Sequence, residues 1–286
     1  MKAEQLVLLS RILSFVPRNL LYFFGGIAGM ILPAILVERT KILYKNYSII
    51  APGKNRRRLA IREFQHIIWN YIDFLKTPYL NKKDIFKFCP VHHPKLLDKC
   101  KKEKGLVLVS AHIGNFDFAS SYISSFEGVK TITVAESSGP GEEMYNLFAK
   151  FRGSFGMKVL RLEDKLTMFN LYRALKDGDM VVLLGDRDIL NNGERLRFFN
   201  AEATFPKGPY YLAYKLKKPL FVAFAVRNPK RRKEYTVIEK EIKFNDLFSI
   251  DEKNAIKIIM ERFVRELEIV IREYPDQWLV FQPPWR

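Results

Sequence analysis

The sequence predicts an α/β fold with a helical, membrane-associating layer at its amino-terminal end. Three observations carry that expectation. Short β-branched-rich runs between residues 106 and 243 alternate with helical patterns, which points to strands joined by crossover helices rather than to a bundle. Residues 20–37 run for 18 positions without a charge. With 286 residues and 48% hydrophobic content, the chain can also bury one elaborated core.

The elements follow in order. Residues 6–16 are apolar apart from Ser10, Arg11 and Ser14, and Pro17-Arg18-Asn19 interrupts them. Residues 20–37 come close to the roughly 20 apolar residues of a spanning helix, but contain Gly25, Gly26, Gly29 and Pro33. A helical hairpin or monotopic segment in one leaflet is therefore preferred, with a single spanning anchor as the runner-up and an ordinary buried helix pair as the bland alternative. Lys41, Lys45, Lys54, Arg56, Arg57, Arg58 and Arg62 follow, with no acid between Glu38 and Glu63. Near an anionic cytoplasmic leaflet each such cation contributes about 1 kcal/mol of attraction, and the same bias keeps the following domain on the cytoplasmic side of the cell membrane. A cleaved signal peptide is not expected, because the apolar stretch is too long and no small-residue cleavage site follows it.

Residues 59–80 have a helical pattern, with Leu59, Phe64, Ile67, Ile68, Tyr71 and Leu75 near one face. Residues 82–104 are again basic, and His92 and His93 within them are read as surface residues. The α/β body begins at Gly105. Strands are expected at 106–110, 129–134, 158–160, 180–184 and 220–226, with an edge-type strand at 235–243. Helices are expected at 116–125, 142–155, 165–176 and 207–216, and a long amphipathic one at 252–273. The chain thus divides into an apolar segment (1–40), a basic helical region (41–104) and an α/β domain (105–286), with 41–286 as one structural unit.

Charge narrows the function classes. Lys+Arg 48 against Asp+Glu 31 gives a net charge of +17, which favours nucleic acid, an anionic membrane or an acidic protein as partner. No nucleic-acid module is recognisable and the long apolar run serves RNA binding poorly, so no nucleic-acid partner is expected. A non-catalytic basic binding protein remains the rival from another class. Cys89 and Cys100 are too few for a disulfide framework and lack zinc-ligand spacing, which suits structural thiols in a reducing compartment.

The sharpest motif is Ser110-Ala111-His112-Ile113-Gly114-Asn115-Phe116-Asp117. His112 stands just past the carboxyl end of an apolar strand, where open α/β sheets place ligands. Across a strand-to-helix turn, tightened at Gly114, Asp117 could reach back to the imidazole, fix its tautomer and leave the other nitrogen as a base. Gly185-Asp186-Arg187-Asp188 ends a second apolar strand and could hold a head group, orient His112, or bind a metal as in a nucleotide-sugar transferase. Phosphate-cradling glycine loops and a G-x-S-x-G elbow are both lacking, so neither nucleotide binding nor a serine nucleophile is supported.

In that order the motifs resemble the bacterial late acyltransferases of lipid A biosynthesis, a family that includes phosphatidylinositol mannoside acyltransferases. The resemblance runs through His112-x4-Asp117, Glu136, Phe151-Arg152-x3-Gly156, Leu175-Lys176-Asp177-Gly178 and Gly185-Asp186-Arg187-Asp188. It continues with Phe198-Phe199, Ala203-Thr204, Gly208-Pro209 and the terminal Tyr274-Pro275-Asp276-Gln277-Trp278. It implies a mainly parallel sheet with helices on both faces. The implied reaction is acyl transfer from a thioester on acyl carrier protein or coenzyme A to a glycolipid hydroxyl, with no cofactor and no metal. His112 would be the base, Asp117 its partner and Asp186 a second orienting group. Gly114, Asn115, Glu136, Arg152, Arg187 and Asp188 are the expected substrate-binding residues. A glycerolipid acceptor is the alternative, but residues 205–209 read Phe-Pro-Lys-Gly-Pro and lack the glutamate and arginine of glycerolipid-forming relatives.

Overall fold

The apolar runs of the second half settle side by side as strands of one sheet: β1 (Leu106–Ser110), β2 (Thr131–Ala135), β3 (Lys158–Arg161), β4 (Met180–Leu184), β7 (Leu220–Arg227) and β8 (Tyr235–Glu241). The computed structural model describes residues 3–90, 94–139, 141–281 and Trp285; His92 and His93 lie outside them. The sheet order is β3-β2-β4-β1-β7-β8, with all neighbours parallel except β7 and β8. Every residue of β1 is buried, as a central strand covered on both faces requires. Val107, Val109, Val181 and Leu183 pack into one core with α10 (Gly208–Leu216) and α11 (Glu252–Glu273). Leu106, Leu108, Met180 and Phe221 turn to the other face, against α6 (Lys95–Glu103) and Ile123 of α7 (Phe116–Ser124).

Two departures from the expected elements have physical causes. β5 (Glu194–Phe198) and β6 (Ala201–Phe205) form a separate antiparallel hairpin. Its turn places Phe199, not a glycine, at φ 52°, so the sequence carries no turn signal there. The helix expected to start at residue 59 begins earlier, as α4 (Arg56–Lys76), because the Asn55 side chain accepts from Arg58 N at 3.0 Å and caps it.

The amino-terminal layer consists of α1 (Ala3–Phe15), α2 (Arg18–Ile35) and α3 (Val37–Ile50) laid against α4. Lys76 of α4 donates to the carbonyls of Leu13, Ser14 and Val16 at 2.6–3.1 Å, which satisfies the carboxyl end of α1 and its dipole. Gly25 and Gly29 let α2 approach α4 closely: a Cβ on Gly29 would sit 2.7 Å from the Gln65 Cα. Trp69 Nε1 donates to Tyr22 O and Gln65 Nε2 to Gly26 O, both at 2.9 Å. The outer face of this layer exposes Leu8, Ile12 and Phe15, then Phe23, Phe24, Ile27, Met30, Ile31 and Ile35. Residues 20–37 are therefore neither a wholly buried helix pair nor a helix apolar all round and free of the body. One face is in the core and the other is bare.

Candidate active site

The register of the sheet builds the site. Ser110 of β1 pairs with Leu184 of β4, and Gly185 N donates to Ser110 O at 2.8 Å. The two chains run on in step, so His112 and Asp186, each two residues further, arrive together where β1 separates strands wound in opposite directions. A Cβ on Gly185 would lie 2.6 Å from Val109 Cγ1, so only glycine permits this approach. Gly114, at φ 64°, is held by the same logic: its Cβ would lie 2.0 Å from Ala225 O.

His112 Nδ1 lies 2.8 Å from Asp186 Oδ1, and His112 N donates to Asp186 Oδ2 at 2.9 Å. Trp278 Nε1 donates to the same Oδ2 at 3.1 Å. Burial pushes the fully enclosed Asp186 carboxyl up, but the His112 imidazole and the three hydrogen bonds outweigh it and hold the carboxyl below its usual range. An ionised carboxylate only accepts, so Nδ1 carries the proton and Nε2 keeps its lone pair. The His112 side chain, 16% exposed, borders a cavity of about 1,130 Å³. The carboxyl-terminal segment braces this loop: Leu279 N donates to His112 O at 2.7 Å and Gly114 N to Gln277 O at 2.8 Å.

The expected residues sort differently from the sequence reading. Asp117 is not the partner of His112. It sits in the first turn of α7, facing the end of α8 (Glu142–Arg152), and accepts from Arg152 Nε at 2.7 Å, while Asp186 takes the Nδ1 position. Asn115 does not line the cavity: it is buried, caps α7 through Phe118 N at 3.0 Å and donates to Tyr235 OH at 2.7 Å. Gly114 is likewise structural, its carbonyl taken by Asn70 Nδ2 at 2.6 Å. Glu136, Arg152, Arg187 and Asp188 do line the cavity with His112. Asp188 accepts from the backbone of Asn192 and Gly193 and so shapes its own loop, whereas Asp186 belongs to His112. The two acids therefore have separate partners and are not pooled on one site. No cluster of three metal-ligating side chains occurs among the described residues.

Phe116, Arg152, Val134 and Leu184 are shared with a second, narrow cavity of about 80 Å³ under α7, walled by Leu108, Ile123, Met157 and Ala223. Trp278 is the site residue whose role the sequence did not disclose. Its signal was its place in the terminal Tyr274–Trp278 motif, which sequence distance alone does not connect to Asp186.

The description "Bacterial lipid A biosynthesis acyltransferase" belongs to the family model that matches residues 6–286. The chain belongs to this family. Two phosphatidylinositol mannoside acyltransferases, from Mycobacterium tuberculosis strains CDC 1551 and H37Rv, are each 27% identical to it over 183 residues, 63% of this chain. The match spans 54%, about half, of the length of each relative.

Proposed function

We propose that this chain transfers a fatty acyl group from an acyl thioester, on acyl carrier protein or coenzyme A, to a hydroxyl of a membrane glycolipid. The observation that carries this reading is the His112–Asp186–Trp278 array at the wall of the large cavity, in a chain of an acyltransferase family. His112 Nε2 takes the proton of the acceptor hydroxyl as its oxygen attacks the thioester carbonyl. The tetrahedral oxyanion collapses, the C–S bond breaks, and the departing thiolate takes the proton from the imidazolium. Asp186 holds the ring in the required tautomer and stabilises its charged form. Arg152, fixed through Nε by Asp117, and Arg187 line the cavity and serve the oxyanion or the acceptor head group. The apolar pocket beside Phe116 receives the start of the acyl chain. The relatives' name, a mannoside acyltransferase, supports a sugar-bearing lipid as acceptor.

In the same reading the bare face of α1 and α2 lies in the cytoplasmic leaflet without spanning it. A span would either drag the polar flank of α4 (Gln65, His66, Asn70, Asp73) into hydrocarbon or strip α2 from it. Phe24→Glu on the bare face should move the folded protein off phosphatidylcholine vesicles. Unchanged sedimentation would end the in-plane reading.

The decisive experiment supplies the purified chain with acyl carrier protein or coenzyme A thioesters and a bacterial lipid extract, with products identified by mass spectrometry. One glycolipid should gain an acyl group, and His112→Ala should slow this by roughly 10² to 10⁴ while folding normally. Absence of any acylated lipid, or a variant within a few-fold of wild type, would overturn the proposal.

A further inference from the structure

The mouth of the catalytic cavity carries apolar side chains that the fold leaves uncovered. α9 (Thr167–Lys176) buries Leu171, Ala174 and Leu175 in the main core. Its amino-terminal end nevertheless leaves Leu166 62% and Phe169 61% exposed, with Met168 and Tyr172 bare beside them. α10 continues this surface: a Cβ on Gly208 would meet Met168 Cε at 3.7 Å, and Tyr211 is again exposed. Phe248 extends it past α10, its ring 5.3 Å from that of Tyr214. Single exposed apolar side chains need no explanation, but a contiguous patch around an opening does.

The polar groups of the patch suit a lipid leaflet. Three of its rings each carry a lysine: Lys176 Nζ stands 4.9 Å from the Tyr172 ring centre, Lys215 Nζ 5.7 Å from Tyr211 and Lys217 Nζ 5.2 Å from Phe248. A lysine whose stem follows a ring keeps its ammonium in water while the ring sits at head-group depth, as at membrane interfaces. The carboxylates here are engaged: Asp177 with Arg173, Glu252 with Lys215, Asp164 with Leu166 N and Asp251 with Asn254 N. The exposed Lys165, Lys176, Lys207 and Lys217 have no carboxylate partner among the described residues, so the rim keeps an excess of positive charge. A leaflet accounts for both these cations and the bare Leu166 and Phe169; an acidic carrier protein accounts for the cations alone.

The position of the patch gives it a use. Met168 and Tyr211 belong both to this surface and to the wall of the His112 cavity. Another part of that wall, Tyr145 and Phe148, comes from α8, and Phe148 packs into the cluster that contains Leu6 of α1. Leu8 and Ile12, on the outer side of α1, are bare. The cavity is thus bordered through α8 by the helix that lies in the leaflet, and on its own rim by α9 and α10. We propose that α9, α10 and Phe248 form a second leaflet-contacting surface, which seats the cavity mouth on the membrane. The lipid acceptor then moves sideways out of the leaflet, its head group reaching His112 while its chains stay in hydrocarbon. The route of the acceptor rests on the acyl-transfer reading; the membrane contact itself does not depend on turnover.

The test scores contact and turnover separately. Cys89 and Cys100 are buried, so a nitrobenzoxadiazole label can be directed to one introduced thiol at a time. On vesicles of phosphatidylcholine and phosphatidylglycerol, the label on Phe169→Cys should shift to the blue and be quenched by nitroxide on the lipid chains. The label on Ile12→Cys reports the α1 contact, and on Glu127→Cys, exposed in the turn after α7, it should stay unquenched. Quenching at Ile12→Cys without quenching at Phe169→Cys would overturn the inference and leave the α1 reading standing; quenching at neither would end both. In turnover, Leu166→Glu combined with Phe169→Glu should raise the half-saturating amount of a vesicle-borne lipid extract roughly tenfold or more, because two apolar side chains no longer bury in the leaflet. Half-saturation by the acyl thioester should not change. A rise for the acyl carrier protein thioester instead would make this surface a protein dock and overturn the inference, as would a wild-type dimer that the double variant no longer forms.

Discussion

The carboxylates of Asp73 and Asp186 are both buried and both held below the usual carboxylate range, yet their surroundings differ in what is left over. Around Asp73 every partner of the carboxylate is a fixed donor. Burial pushes its carboxyl up, but the guanidiniums of Arg18 and Arg227 and the hydroxyls of Tyr22 and Tyr235 outweigh that. Burial beside this carboxylate drives the Tyr22 hydroxyl up to about 12, so both tyrosines remain donors. The network joins α2, α4, β7, β8 and, through Asn115, the His112 loop. Around Asp186, by contrast, one partner is an imidazole whose second nitrogen is uncommitted beside a cavity. A buried charge with permanent partners fixes geometry, whereas a buried charge paired to a titratable base supports chemistry.

The comparison can be broken first at Asp73. Asp73→Ala leaves Arg18 and Arg227 buried without their counter-charge and should cost about 3–5 kcal/mol in urea unfolding. A loss under 1 kcal/mol would mean that the network holds nothing together.

The contrast sharpens at Trp278. Trp278→Phe keeps a ring edge-to-face with Phe198 but removes the donor to Asp186. Turnover should fall about tenfold, with the Michaelis constant for the acceptor little changed. A change confined to the Michaelis constant would place Trp278 at substrate rather than behind Asp186.

Acid should act on both clusters. With folded pKa values depressed, Asp73 and Asp186 stabilise the fold above the unfolded value of about 4, and this contribution is lost as pH falls through the lower folded values. Stability of wild type should therefore fall below about pH 4 more steeply than that of Asp73→Asn. Parallel curves would contradict the pairing.

The smallest effect is expected at Glu63, where burial raises the carboxyl well above its usual value and Tyr47 donates to it. A raised folded pKa means stability that is present below the unfolded value and lost as pH rises. Glu63→Gln should then stabilise the protein at neutral pH, with no gain near pH 4. A loss at both pH values would contradict this.

The parallel strands and their helices were legible because apolar runs and 3.6-residue periods report burial directly, as at residues 106–110 and 252–273. His112 and Asp186 were legible as strand-end residues. Their pairing depends on the Ser110–Leu184 register, which one sequence does not contain. Asp117 was the nearer acid along the chain and drew the expectation for that reason, although the turn at Gly114 and the cap at Asn115 aim it at Arg152. Residues 20–37 were legible as a membrane-associating segment from their uncharged run, whereas the packing of Gly25 and Gly29 on α4 depends on contacts that one sequence does not contain.

The central claim is that Asp186, not Asp117, makes His112 a base. Its most direct test is the pH dependence of acyl transfer for wild type, Asp186→Asn and Asp117→Asn, measured side by side where chemistry limits the rate. Wild-type turnover should rise from acid toward neutral pH, as catalysis by a general base requires. Asp186→Asn should lose most activity and alter that profile. Asp117→Asn should keep the profile and show its defect in acceptor affinity, through Arg152. A wild-type profile in Asp186→Asn, or an altered one in Asp117→Asn alone, would contradict the account.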